Sequence, residues 1–256
     1  MTKIERTNVG QQGFSLVELM IALIAGLIVS GAVLSFFLSS MKSNGEYVQS
    51  TRLTQELRNT LDLMTRDLQR AGYDEDALKY LARGSSTPFT QINLDVANNC
   101  VIYSYDKASV AAGSQPGVLD LGNGEVRGIR LVSATNQDGR TVGVVEYAAS
   151  DIPSTPARPT CTPAGATYTS YPPQCNLTTG WCALSDPSVL DITSLTFTDN
   201  RSNVGAAPNQ VQLRRIGVNL QGRIAGTTDT ARNMVASVRV RSDCYRPNPS
   251  TCSNAP

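Results

Sequence analysis

Histidine is absent from the 256-residue chain. That removes Ser-His-Asp and Cys-His catalytic arrangements and every histidine-containing metal site, so no enzymatic activity and no cofactor are expected. Cys-x-x-Cys pairs are also missing, which excludes the usual thiolate frame of a structural zinc site. The formal charge is +1 and no long basic stripe occurs, so the electrostatic footprint of a nucleic-acid binder is lacking. No cysteine precedes Cys100, and neither a charged residue nor a proline lies between Leu19 and Met41.

That uncharged run is the dominant feature present. As a helix rising about 1.5 Å per residue it measures roughly 34 Å, enough to cross a hydrocarbon core of about 30 Å. A polar leader carrying Lys3, Glu5 and Arg6 precedes it. In a secretory signal peptide the apolar region comes before the cut; here it comes after Gly13, so cleavage there would leave the helix on the mature chain. Lys3 and Arg6 favour a cytoplasmic N-terminus. Glu18 stands at the head of the helix, where the positive end of the helix dipole offsets part of the roughly 3 kcal/mol cost of an acid in a bilayer. Its other reading is a partner for a positive charge on a neighbouring copy. Ala22, Gly26 and Ser30 recur at every fourth position, a smooth stripe on which a second helix could pack.

The stretch Gly13-Phe14-Ser15-Leu16-Val17-Glu18-Leu19-Met20 resembles the class III signal of type IV pilins and type II secretion pseudopilins. The resemblance implies that a prepilin peptidase cuts after Gly13, that the new Phe14 amine is N-methylated, and that Glu18 helps subunits dock into a filament. Major pilins commonly carry a proline in the middle of this helix; its absence favours a minor pilin or a pseudopilin.

Beyond Met41, Leu53, Leu57, Leu61, Met64 and Leu68 recur at helical spacing, with Arg52, Asn59, Arg66 and Arg70 on the opposite face. This predicts one helix from Phe14 to about Ala71, capped by Gly72, whose second half packs on the chain's own globular head; a parallel coiled coil of two copies is the lesser reading. From residue 73 onward, short β-like runs take over: Cys100 to Tyr105, Val126 to Val132, Thr141 to Tyr147, Ile192 to Phe197, Val211 to Leu220 and Met234 to Val240. In the last, Met234, Ala236, Val238 and Val240 are expected to face inward. Val211 and Leu213 alternate out of phase with Ile216, Val218 and Leu220, which predicts a β-bulge at Arg214-Arg215.

Cys100, Cys161, Cys175, Cys182, Cys244 and Cys252 all follow the membrane helix, as disulfides formed in an oxidising compartment require. Their connectivity is open, with local closure of Cys244 on Cys252 the best single expectation. Between about Ser150 and Pro187 the chain is dense in Pro, Thr, Ser and Cys and holds the only tryptophan, Trp181. It reads as a loop insertion pinned by disulfides, either a recognition surface or a cover for the sheet. Asp74-Glu75-Asp76, Asn136-Gln137-Asp138 and Asp199-Asn200-Arg201 carry oxygen ligands of the calcium type, but lack EF-hand spacing and match turns as well.

The segment from Asn99 to Asp106, and Leu184-Ser185-Asp186-Pro187 leading to Ile192 through Phe197, are similar to the PilW branch of minor pilins. The expectation is an α+β chain of lollipop form: a leader at 1–13, a membrane and filament-core helix at 14–41, an amphipathic helix at 42–72, and a β-rich disulfide-containing head at 73–256. Resemblance implies a minor pilin that primes or caps type IV pilus assembly. Its partners would be other minor and major pilins, the prepilin peptidase, the inner-membrane assembly platform and, before assembly, membrane lipid. The head would be periplasmic and then carried to the pilus surface. A minor pseudopilin of a type II secretion system and a pilus-displayed adhesin are the alternatives.

Overall fold

The computed structural model of the chain describes residues 13–82, 87–107, 115–162, 165–170, 175–206, 210–228, 231–241 and 243–246. Helix α1 runs from Leu16 to Leu68 without a break at Gly45. The chain divides into two compact units between Ser50 and Thr51. In the first unit, every described residue from Gly13 to Gln49 is exposed, so the helix there buries none of its apolar surface.

In the second unit the predicted stripe is buried: Leu57, Met64 and Leu68 have no exposed surface, and Leu53 and Leu61 are nearly as covered. Arg52, Asn59, Arg66 and Arg70 remain exposed. The helix gives way to turns after Leu68, and Gly72 adopts φ +79°, the left-handed conformation that glycine enters without steric penalty. Its N–H donates to Ser104 O at 2.8 Å, which ties the helix end to the sheet. A short helix α2 follows at Ala77–Ala82.

Among the described residues ten strands form two sheets, antiparallel except for one pairing. The first contains β1 (Ile92–Asp95), β2 (Cys100–Ser104), β3 (Val126–Asn136), β4 (Thr141–Ala149), β5 (Ala166–Tyr168) and β6 (Trp181–Ala183). Its order is β1-β2-β3-β4-β6, with β5 parallel to the end of β3. The second contains β7 (Leu190–Val204), β8 (Gln210–Ile224), β9 (Arg232–Arg239) and β10 (Cys244–Arg246), with β7 on one side of β8 and β9 and β10 pairing with it in succession. One apolar core joins the helix stripe to Val101, Ile129 and Val145 of the first sheet and to Leu195, Ile216, Val218 and Leu220 of the second. The architecture is therefore α+β: a long N-terminal apolar helix followed by antiparallel sheets.

All six expected strands are present, several of them longer than the apolar pattern suggested. In β9, Val238 is buried, Met234 and Ala236 are half-buried and the alternate residues are exposed, as expected; Val240, just beyond the strand, is buried as well.

The expected bulge at Arg214-Arg215 is not there. Pairing with β7 is unbroken from Val211 to Leu220, and the register shift lies on β7 between Ile192 and Ser194. The inward face of β8 is even-numbered throughout, because Gln212 and Arg214 are buried where an apolar pattern would place them outside. Arg214 tolerates burial because Asp199 receives its Nε at 3.0 Å and its Nη2 at 2.7 Å, while Nη2 also donates to Ile92 O of the other sheet at 2.9 Å.

The stretch from Ser150 to Pro187 is less loop-like than expected, since it contributes β5 and β6 to the first sheet. It is pinned by disulfides: Cys100 bonds Cys161, and Cys175 bonds Cys182. The expected Cys244–Cys252 closure involves Cys252, which lies outside the described residues, as does the leader before Gly13.

Candidate functional site

Phe14 and Ser15 precede α1, whose first backbone bond runs from Leu19 N–H to Ser15 O at 3.1 Å. Gly13 and Phe14 are exposed. Glu18 sits in the first turn, one helical turn after Phe14 and beside the unsatisfied N–H groups that favour an anion. Among the described residues no ion pair includes Glu18.

Large apolar side chains from Leu16 through Met41 are all more than half exposed. A Cβ added at Gly26 or Gly31 would meet nothing within 4 Å, so the stripe of Ala22, Gly26 and Ser30 is open. The helix is long and apolar enough to cross a membrane. Each side chain left in water forgoes roughly 1.5–3 kcal/mol of burial, which makes lipid or other helices the natural surroundings of this segment. Chemically it offers an exposed Gly13-Phe14 bond, one carboxylate and an apolar packing surface.

The head carries polar clusters, buried or half-buried, that the sequence did not announce. Where α1 ends, Asp67 accepts hydrogen bonds from the hydroxyls of Tyr103 and Tyr105, and Arg127 lies over both the Tyr105 and Tyr147 rings. Burial, and then the Asp67 carboxylate, push the Tyr103 hydroxyl well above its usual range, so it is a fixed donor at all ordinary pH.

On β3 and β4, Arg130 and Glu146 are register partners and both are almost wholly buried. Arg130 Nε donates to Glu146 at 2.8 Å, its Nη1 donates to Thr162 O at 2.7 Å, and its guanidinium lies 4.0 Å from the Trp181 ring centroid. Tyr168 donates to the other Glu146 oxygen at 2.5 Å. This cluster fastens the inserted segment to the sheet. A charged residue flanked by apolar neighbours at matching places in consecutive strands was the available signal. The third cluster joins Asp199 to both Arg214 and Arg201.

The oxygen-rich segments resolve as turns and ion pairs. Asp74 Oδ1 accepts from Asp76 N–H at 2.8 Å, Asn136 Oδ1 accepts from Asp138 N–H and Arg140 N–H, and Asp199 is held by its arginines. Among the described residues no group of three acidic or thiol side chains is placed to hold a metal ion.

Residues 9–34 match the prokaryotic N-terminal methylation motif, and residues 46–240 match the family of prepilin peptidase-dependent protein B. Neither a curated protein nor a solved structure is matched. The first match covers Gly13, Phe14, Glu18 and the open stripe; the second covers most of the chain, including β1 to β9. The signal, the apolar helix and the head thus agree: this pilin-like chain belongs to the prepilin peptidase-dependent protein B family.

Proposed function

We propose that the protein is a minor pilin that enters a filament through its N-terminal helix and primes or caps type IV pilus assembly, as a member of the PilW branch. The observation that carries this reading is the exposed apolar surface from Leu16 to Met41, with Glu18 as its one charge. No described residue of the first unit covers that surface, so its stability depends on lipid before assembly and on neighbouring helices afterwards.

In this reading residues 1–13 are the leader, 14–41 the membrane and filament-core helix, 42–72 the amphipathic helix and 73–256 the head. The peptidase cuts after Gly13 and the Phe14 amine is methylated. Glu18 then pairs with the Phe14 amine of an adjacent subunit, an ion pair strengthened by the low dielectric of packed helices. Ala22, Gly26 and Ser30 allow close approach of the neighbouring backbone, and the head is exported to the periplasm and then to the pilus surface. The missing helix proline favours a minor over a major subunit.

The test is Glu18→Ala in the full-length precursor. Leader removal should proceed as in the parent, seen as the same mobility shift on gels, while surface pili are lost. Normal piliation in that variant would sink the pairing role.

A further inference from the structure

Two adjoining hollows on the head share Arg66 and Arg70 in their walls. One, of about 350 Å³, is bordered on its apolar side by Leu63, Ile129 and Leu184. The other, of about 260 Å³, adds Gln69 and Arg241. Arg241 arrives from the segment after β9, and its N–H donates to Gln69 O at 3.4 Å, which holds it beside the end of α1.

All three arginines are exposed. Among the described residues none of them has a carboxylate within ion-pair distance; Arg70 is hydrogen-bonded to the Tyr105 hydroxyl. Asp67, the acid in the wall, is already occupied by Tyr103, Tyr105 and Arg127. The dipole of α1 accounts for basic residues at its C-terminal end, and so for Arg66 in the last turn and Arg70 just beyond it. It does not account for a third arginine delivered by a separate element, nor for Leu63, which is 51% exposed beside them.

We propose that this groove docks an acidic segment of a partner protein, its carboxylates held by Arg66, Arg70 and Arg241 and an apolar side chain seated against Leu63 and Leu184. Guanidinium forks fit carboxylates and phosphates alike. The apolar wall and the near-neutral net charge favour a peptide, because a nucleic-acid strand needs a basic track extending over several phosphates. The proposal is independent of how the N-terminal helix assembles.

The test uses the full chain in detergent micelles and fluorescence anisotropy with a labelled pentapeptide of sequence Glu-Leu-Glu-Glu-Leu, its glutamine counterpart and a single-stranded oligonucleotide. The acidic peptide should bind, with affinity falling as salt rises, and the glutamine peptide should not. Replacing Arg66, Arg70 and Arg241 together by glutamine should weaken binding by about tenfold or more, the loss of charge-assisted contacts. Leu63→Ser should weaken it without changing the salt dependence. Arg215→Gln, on a strand of the second sheet and outside both hollows, should leave it unchanged. Arg66→Gln and Arg241→Gln alone, checked by thermal melts, keep the test valid if the triple variant does not fold. Absent binding, an equal loss at Arg215, or tighter binding of the oligonucleotide through the same arginines overturns the proposal.

Discussion

The Trp181 ring reaches back across the sheet to Gly128: a Cβ at Gly128 would lie 2.7 Å from the Trp181 Cη2. The register explains the reach. Gly128 pairs with Ala148, and Ala148 with Trp181, so two small residues in one row across β3, β4 and β6 leave the space that the indole fills. Gly128→Ala should therefore destabilise the head by about 1–3 kcal/mol, the usual cost of forcing extra volume into a packed site. Denaturant unfolding measures it, and the lone tryptophan should show a shifted emission maximum in the folded variant.

The same cluster yields a second expectation. Arg130→Met leaves Glu146 buried with only the Tyr168 hydroxyl donating to it, and breaking a buried pair in this way costs about 3–5 kcal/mol. The double substitution with Glu146→Met removes both charges and should recover much of that loss. Unfolding curves of the two single variants and the double variant decide it; additive losses would contradict the coupling.

Features set by local spacing were legible in the sequence. The stripe from Leu53 to Leu68 and the cap at Gly72 follow from helical periodicity, and the Gly13-Phe14 and Glu18 signal is contiguous. β8 was misread because pattern reading equates polar with outside, whereas Arg214 is carried inward by Asp199, a partner on another strand. The irregularity at Ile192/Ser194 depends on what β7 pairs with, and β5 and β6 are too short to show a period. The arginine groove was out of reach for the same reason, since Arg241 joins Arg66 and Arg70 only through the tertiary fold.

Asp74 provides a pH prediction. Burial raises its carboxyl above the usual range, with the hydrogen bond from Asp76 N–H opposing and the nearby Asp106 adding to the rise. A raised folded value means that the folded chain binds more protons than the unfolded one between the two values, so stability falls as pH rises through that window. Asp74→Asn keeps the Oδ1 acceptor and removes the charge. It should melt higher than the parent at neutral pH, with the difference shrinking as pH drops toward the unfolded carboxyl value of about 4. Some slope should persist, because burial raises Glu125 in the same sense. Near-UV circular dichroism melts across pH test this, and a lower melting point for the variant at neutral pH would contradict it.

The two disulfides differ in what they constrain. Cys100 and Cys161 are 61 residues apart, while Cys175 and Cys182 are separated by 7. Loop-closure entropy assigns roughly 4 kcal/mol to the first and roughly 2 kcal/mol to the second, so replacing the first pair by serine should cost about 2 kcal/mol more. The first bridge also fixes Cys161 in a small core with Trp181 and Val126, so its loss should loosen the indole packing and change tryptophan emission, whereas loss of the second should leave the emission nearly unaltered. Unreduced peptide mapping should recover both pairs, together with a peptide joining Cys244 to Cys252, the closure expected from their short Pro-rich spacing. Recovery of Cys244 bonded to any of the other four cysteines would contradict both that closure and the pairing around Trp181.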